Sequence, residues 1–200
     1  MTMKKIAKIC LLLGVIQALS GGAFAASFMP TGDRTSQPIG HFEFCQQYPT
    51  ECSASTSNPN LVKLTPALWD RLQDVNNSIN VMIEPITDQD QWNKEEVWSF
   101  PVNKGDCEDY VLLKRKLLIE QGIPANNLLI TVVRQKSGDG HAVLAVRTDR
   151  GDFILDNLEG KIKSWEKTGY RFLKRQSDLN SQKWVSIEDN RQTIVSSIAP

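Results

Sequence analysis

Charge excess and histidine are the two features of which this sequence has least. Its 200 residues carry 23 lysines and arginines against 23 aspartates and glutamates, so the formal net charge is zero. Nucleic-acid and anionic-membrane binding usually need a basic excess, so we predict no nucleic-acid partner. Because only His41 and His141 are present, any catalytic imidazole must be one of these two. The length suits one compact domain with its own core, and a second full domain is not expected.

Long apolar runs are also missing, apart from one at the N-terminus. Three lysines within residues 1–8 precede an apolar run at 9–19, and small residues follow with Ala-Phe-Ala at 23–25. This order is typical of a secretory signal peptide, and the apolar run is shorter than the roughly 20 residues that a membrane-spanning helix needs. We predict a signal peptide at 1–25, cleavage near Ala25 and a periplasmic or secreted mature chain. The alternative is an uncleaved membrane anchor.

Cysteine is scarce, and its number is informative. Of the four cysteines, Cys10 lies in the predicted signal peptide, so the exported chain keeps Cys45, Cys52 and Cys107. An oxidising compartment favours disulfides, and an odd number leaves one thiol over. Cys45 and Cys52 are seven residues apart around Pro49, and we expect them to form the disulfide. Cys107 is then a free thiol, either buried and inert or kept for its chemistry.

The order of turn-rich and apolar segments predicts an α+β fold. Residues 26–60 are rich in Ser, Thr, Pro, Gly and Asn, so we expect an irregular arm, packed on the domain by Phe42 and Phe44. The main domain is predicted at 61–190, and a C-terminal tail at 191–200. Helices are expected at 66–80 and 107–121, and strands at 127–135, 141–148, 152–157 and 183–187. This order indicates helices packed on an antiparallel sheet.

Cys107, His141 and Asp156 form a candidate catalytic triad. A thiol in the first turn of a helix is close to free N–H groups and the positive end of the dipole, which favour the thiolate. A cysteine nucleophile also needs a base and a third group that orients the base. If the hairpin turns at residues 149–150, Asp156 lies opposite Val143 and on the same face as His141, one diagonal step away. A slip of one residue would separate them. The alternative is a core cysteine, a surface histidine and a turn-capping aspartate.

Three carboxylates surround the candidate nucleophile in the sequence Gly-Asp-Cys-Glu-Asp-Tyr, and two explanations are open. In the first, Asp106 caps the helix, and Glu108 and Asp109 face the helix dipole and point away from sulfur. In the second, Asp106, Glu108 and Asp109 bind a hard cation, because closely spaced carboxylates supply the oxygen ligands that calcium prefers. The charge of the cation would then offset the acids beside the thiol. No organic cofactor is predicted.

Three ordered motifs carry a family resemblance: GDCEDYVLLKRKLLIEQGIP, GHAVLAV and GDFILDN. Together with the stretch before them, over roughly residues 61–176, they resemble the bacterial transglutaminase-like cysteine proteinase family, which is related to LapG-type periplasmic proteases. The resemblance implies a papain-like or transglutaminase-like fold with the triad at Cys107, His141 and Asp156. It also implies calcium at the acidic positions beside the cysteine, a protein substrate and an inner-membrane regulatory receptor.

The expected activity is hydrolysis of protein amide bonds by acyl transfer through the Cys-His-Asp triad. The Cys107 backbone N–H would supply half of an oxyanion hole, and Trp98 or Asn93 are weak candidates for the other half. Two alternatives stay open: transfer of the acyl group to an amine, as in a transglutaminase, and a non-catalytic peptide-binding module with the same fold.

Overall fold

A computed structural model of the chain describes residues 26–53 and 60–191. Four α-helices lie in these ranges, and short 3-10 helices accompany them at Pro49–Cys52, Ala125–Asn127 and Trp165–Lys167. The α-helices are α1 (Ile39–Gln47), α2 (Pro66–Met82), α3 (Asp88–Trp92) and α4 (Cys107–Glu120). Thr65 caps α2 as the sequence predicts, because its Oγ1 accepts the Leu68 N–H at 3.1 Å. Gly122, with φ +88°, follows the end of α4 in a conformation that favours glycine.

The nine described strands form one large sheet and one small one. They are β1 (Thr31–Thr35), β2 (Glu84–Pro85), β3 (Lys104–Gly105), β4 (Leu128–Arg134), β5 (Gly140–Thr148), β6 (Gly151–Leu155), β7 (Lys163–Ser164), β8 (Arg171–Gln176) and β9 (Trp184–Ile187). The seven-stranded sheet has the order β1-β9-β8-β4-β5-β6-β7, and its neighbouring strands are antiparallel. Strands β2 and β3 form a parallel pair. The predicted α+β class is therefore confirmed.

Two hydrophobic clusters cover the two faces of the large sheet. Helices α2 and α4 pack on one face, where α4 lies against β5. Side chains alternate along β5, so Leu144 belongs to the helix-side cluster, and Val143 belongs to the cluster on the opposite face. This alternation fixes the register of β5, since a slip of one residue would exchange the faces of every side chain.

The N-terminal arm is more regular than its composition predicts. The prediction of an irregular segment is wrong, because residues 31–35 form β1 on the edge of the sheet and residues 39–47 form α1. A disulfide joins Cys45 to Cys52, as the spacing predicts. Phe44 is buried, whereas Phe42 is 45% exposed, because residues two apart on a helix do not share a face. Main-chain pairing with β9, which the composition does not show, orders the arm.

The predicted signal peptide and most of the C-terminal tail lie outside the described residues. Within residues 26–53 and 60–191, no helix has the length and apolar character needed to cross a membrane.

Candidate active site

His141 and Asp156 come together through the register of the β5–β6 hairpin. Thr148 pairs with Gly151 and Leu144 pairs with Leu155. This is the predicted register, in which Asp156, the residue after β6, lies on the same face as His141. His141 Nε2 lies 2.8 Å from Asp156 Oδ1, and both side chains are almost fully buried. The pairing of these two side chains is thus a direct consequence of the two-residue turn. Because Nε2 of His141 faces Asp156, Nδ1 is the ring nitrogen that remains available to a third group.

The backbone of Asp156 is held by amide side chains of α2. Asn76 Oδ1 accepts the Asp156 N–H at 3.1 Å, and Asn80 Nδ2 donates to the Asp156 carbonyl at 2.8 Å. These asparagines are four residues apart, so they lie on one face of the helix. Asn76 Oδ1 also accepts a hydrogen bond of 2.8 Å from the buried Lys114 Nζ. Helices α2 and α4 therefore position the segment that carries the aspartate.

Cys107 is the first residue of α4, as predicted, and the free thiol among the described residues. Its Sγ lies next to the backbone N–H of Ala142, the neighbour of His141. The thiol donates to Glu108 Oε2 at 3.0 Å. Burial, and after it the Glu108 carboxylate, raise the pKa of the Cys107 thiol. The thiol is protonated in this arrangement.

An acidic pocket adjoins the thiol, and its membership differs from the prediction. Carboxylate oxygens of Asp88, Asp106 and Glu108 lie within 4.8 Å of one another. Asp88 comes from the first position of α3, a helix that is not among those predicted from the sequence. Asp109 is outside this trio, because its Oδ1 accepts from the Ser99 N–H at 2.8 Å. Thr87 is the local signal from which a helix beginning at Asp88 could be predicted, because its side chain caps α3 by accepting the Asp90 N–H.

The capping explanation for the acids is wrong in this structure. Asp106 occupies the N-cap position of α4, but its side chain makes no capping hydrogen bond. Its Oδ1 and the Oδ2 of Asp109 are buried without a hydrogen-bond partner. Glu108 points toward the sulfur rather than away from it. Buried oxygens without partners are uncommon in proteins, so these two oxygens distinguish the motif from an ordinary capped helix start.

Burial and mutual repulsion shift the titration of these acids. Desolvation is the main cause in each case, and Asp106 contributes to the shifts of its two neighbours in the sequence motif. The pKa of Asp106 rises to about 6, that of Asp109 to about 7 and that of Glu108 to about 9. Burial also raises the pKa of Asp88. The acids at this end of α4 therefore ionise less readily than free carboxyl groups, because burial and their mutual repulsion disfavour the charged forms.

The two weak oxyanion candidates have other partners. Trp98 is buried, and its indole N–H donates to Glu96 at 2.7 Å. Asn93 is exposed in a left-handed conformation at the end of α3, and its Oδ1 accepts from Gln89. Neither contact directs an N–H toward Cys107, so the structure gives these two predictions no support. The backbone N–H of Ala142, which the sequence did not suggest, lies next to the sulfur and opposes the rise in the pKa of the thiol.

A family model described as bacterial transglutaminase-like cysteine proteinase matches residues 31–192. The chain belongs to this family. The match includes β1 and α1, so the arm is part of the family's region rather than an addition before it. No curated protein matches the chain in a sequence comparison.

Solved structures of LapG from Legionella pneumophila are similar to this chain. One is 28% identical with a TM-score of 0.48, covering 56% of this chain and 65% of LapG. An EGTA-treated form is 25% identical with a TM-score of 0.51, covering 64% and 74%. A calcium-bound form is 24% identical with a TM-score of 0.51, covering 69% and 77%. The chain thus spans just under two thirds of the first LapG structure, and it shares the transglutaminase-like fold.

Proposed function

We propose that this protein is an exported cysteine peptidase that hydrolyses protein amide bonds through Cys107, His141 and Asp156. The observation that carries the proposal is the buried hydrogen bond of 2.8 Å between His141 and Asp156, one residue from the Ala142 backbone that lies next to the Cys107 sulfur. A base oriented by a carboxylate, beside a thiol at a helix start, is the arrangement that a cysteine nucleophile needs. Membership of the family supports the same chemistry.

In this mechanism the Cys107 sulfur attacks the carbonyl carbon of the substrate, and its proton passes to His141 Nδ1. Asp156 holds the ring through Nε2 and stabilises the imidazolium that forms. The backbone N–H of Cys107, at the first position of α4, would donate to the developing oxyanion. His141 then protonates the leaving amine, and a water molecule hydrolyses the thioester and restores the thiol.

Calcium is the cation that we propose for the acidic pocket. Asp88, Asp106 and Glu108 would hold it, and the buried Asp106 Oδ1, which has no hydrogen-bond partner, fits a site that lacks its positive partner. These are hard oxygen donors, which suit calcium better than a soft metal. When bound, the ion supplies positive charge that offsets the carboxylates beside the thiol.

The predicted signal peptide at 1–25 supports export to the periplasm or beyond. A peptidase of this family implies a protein substrate, and an exported protease meets periplasmic or cell-surface proteins. Regulation by an inner-membrane receptor is an expectation that comes from the family resemblance alone. Export, a protein substrate and regulation by a receptor are thus parts of the proposal, together with the peptidase activity.

A non-catalytic peptide-binding module is the second candidate function. The hydrogen bond from the Cys107 thiol to Glu108 favours it, because a thiol that donates to a carboxylate is not a nucleophile. The two candidates differ in the reactivity of one sulfur atom.

Alkylation by iodoacetamide distinguishes these two functions. In the presence of calcium, we expect native Cys107 to react on the order of tenfold faster than in the urea-denatured chain, since the base and helix start favour the thiolate. Replacement His141→Ala should remove this advantage, whereas His41→Ala serves as the matched control. Equal rates in the native and denatured chains would rule out the peptidase.

A further inference from the structure

The Asp156 carboxylate has a partner that the triad does not include. Tyr170 is the residue immediately before β8, and its phenol O–H donates to Asp156 Oδ2 at 2.5 Å. The other oxygen, Oδ1, accepts from His141 and, at 3.0 Å, from the Leu158 N–H. Among the described residues, Tyr170 is thus the hydrogen-bond partner of the second carboxylate oxygen.

The tyrosine ring also packs close to the imidazole. The centroids of the Tyr170 and His141 rings are 5.4 Å apart, and the planes are tilted by 55°. Tyr170 therefore contacts both His141 and Asp156, and the proposed reaction depends on the orientation of these two side chains relative to each other. Its hydroxyl hydrogen is already directed at Asp156, so it is not available to bind substrate.

The backbone at Tyr170 is itself anchored, so the phenol is held in place. Arg191 Nη2 donates to the Tyr170 carbonyl at 2.7 Å, and Arg191 is held by a bidentate contact with Asp189. Asp189 in turn accepts the Phe172 N–H at 2.9 Å. Because the Tyr170 backbone is anchored in this way, its hydrogen bond to Asp156 reduces the number of orientations available to that carboxylate.

We infer that Tyr170 is a positioning residue of the triad, acting through the Asp156 carboxylate rather than on the substrate. Asp156 is only 3% exposed, and a buried carboxylate oxygen without a partner is costly. Without the phenol, the carboxylate would turn to find another donor and release its hold on the imidazole. This inference rests on the proposed peptidase function.

The protonation state of Tyr170 agrees with a donor role. Burial, and after it the Asp156 carboxylate, raise the pKa of the Tyr170 phenol. The O–H is therefore retained throughout the pH range in which a cysteine peptidase works.

A double-mutant cycle between Tyr170→Phe and Asp156→Asn tests the inference. The readout is the rate constant for alkylation of Cys107 by iodoacetamide in the full chain with calcium. We expect Tyr170→Phe to lower the rate by on the order of tenfold, as expected for loss of a hydrogen bond to a charged group. In the Asp156→Asn background it should have no further effect, because the phenol then has no carboxylate to position.

Tyr48→Phe is the matched control, because the Tyr48 hydroxyl accepts from Gln47 in the arm and has no described link to the triad. Thermal melting of each variant shows whether it is folded, and the phenylalanine keeps the ring packing. An unchanged rate in Tyr170→Phe would overturn the inference. An equal loss in the Asp156→Asn background would overturn it as well.

A second readout separates failure of this inference from failure of the proposed function. Nitrogen NMR signals of the two histidines report the His141–Asp156 hydrogen bond without any turnover. We expect Tyr170→Phe to change the His141 signals and leave those of His41 unchanged. If wild-type Cys107 shows no enhanced alkylation, the peptidase proposal fails, and the His141 signals alone decide the role of Tyr170. Unchanged His141 signals in Tyr170→Phe would overturn the positioning role of Tyr170.

Discussion

The two histidines of the chain lie in contrasting surroundings. His41 is buried in the arm, where the Trp184 indole N–H donates to its Nδ1 at 3.3 Å. Burial, and after it the Arg115 charge, lower the pKa of His41 to about 4, so the ring is neutral. His141 is equally buried but faces a carboxylate, which can stabilise an imidazolium. The sequence offers both residues, and the hairpin register that brings His141 to Asp156 makes it the candidate base.

Lys114 is a buried cation whose titration affects the free energy of unfolding. It is fully buried, and desolvation lowers its pKa from 10.5 to about 7, while the Asp156 charge opposes the shift. Because the folded-state pKa is below the unfolded value, the unfolded chain binds more protons between about pH 7 and 10.5. The contribution of Lys114 to stability therefore rises with pH across this window and is constant below it.

Lys114→Met should remove that rise. We expect urea unfolding to show a wild-type stability gain, relative to Lys114→Met, on the order of 1–2 kcal/mol between about pH 7 and about pH 9. Lys116→Met, which replaces a half-buried lysine on the same helix, is the control and should retain the wild-type pH dependence. Identical pH dependence in wild type and Lys114→Met would contradict this account.

At the scale of elements, the acidic pocket lies where the starts of α3 and α4 come together. Asp88 opens α3, and Asp106 precedes α4, so two helix starts bring their acids to one pocket. Anions near helix N-termini are favourable, which lowers the cost of gathering them. Ser99, on the connection between these helices, fixes Asp109 by two hydrogen bonds. The pocket is thus a product of the helix packing as well as of the Asp-Cys-Glu-Asp motif.

Calcium should stabilise the folded chain through this pocket. At a free concentration about 100 times the Kd, a ligand that binds only the native state adds about 2.7 kcal/mol to the free energy of unfolding. We expect calcium to raise the Tm and EGTA to reverse the rise. Asp88→Asn should lose most of the effect, because it removes a charged ligand.

Asp74→Asn, on the exposed side of α2, is the matched control for that experiment and should respond as wild type does. A calcium response in Asp88→Asn equal to that of wild type would exclude Asp88 as a ligand. No response in wild type would exclude the calcium site altogether.

At the scale of the whole molecule, local patterns in the sequence predicted the central part of the fold. The Thr65-Pro66 start of α2, the Cys107 start of α4 and the hairpin register that pairs His141 with Asp156 follow from capping, periodicity and a two-residue turn. These features depend on neighbours in the sequence. The α+β class seen in the sheet topology and the family match over residues 31–192 agree with these predictions.

Features that depend on distant contacts could not be predicted in the same way. The arm became ordered by pairing β1 with β9, a strand about 150 residues later. Asp88 joined the acidic pocket, and Tyr170 reached Asp156, through tertiary packing that no local motif encodes. The cap predicted for Asp106 is also absent, and its side chain instead lies in the acidic pocket with Asp88 and Glu108.

The proposed peptidase function requires Cys107 to hydrolyse amide bonds in exported proteins. The most direct measurement compares newly formed protein N-termini after exported proteins from the source cells are incubated, with calcium, with the mature chain or with Cys107→Ala. The account predicts a set of new N-termini that appears with the wild-type chain and is absent with Cys107→Ala. The same N-termini in both samples would contradict it, and cross-linked products without new N-termini would indicate acyl transfer to amines.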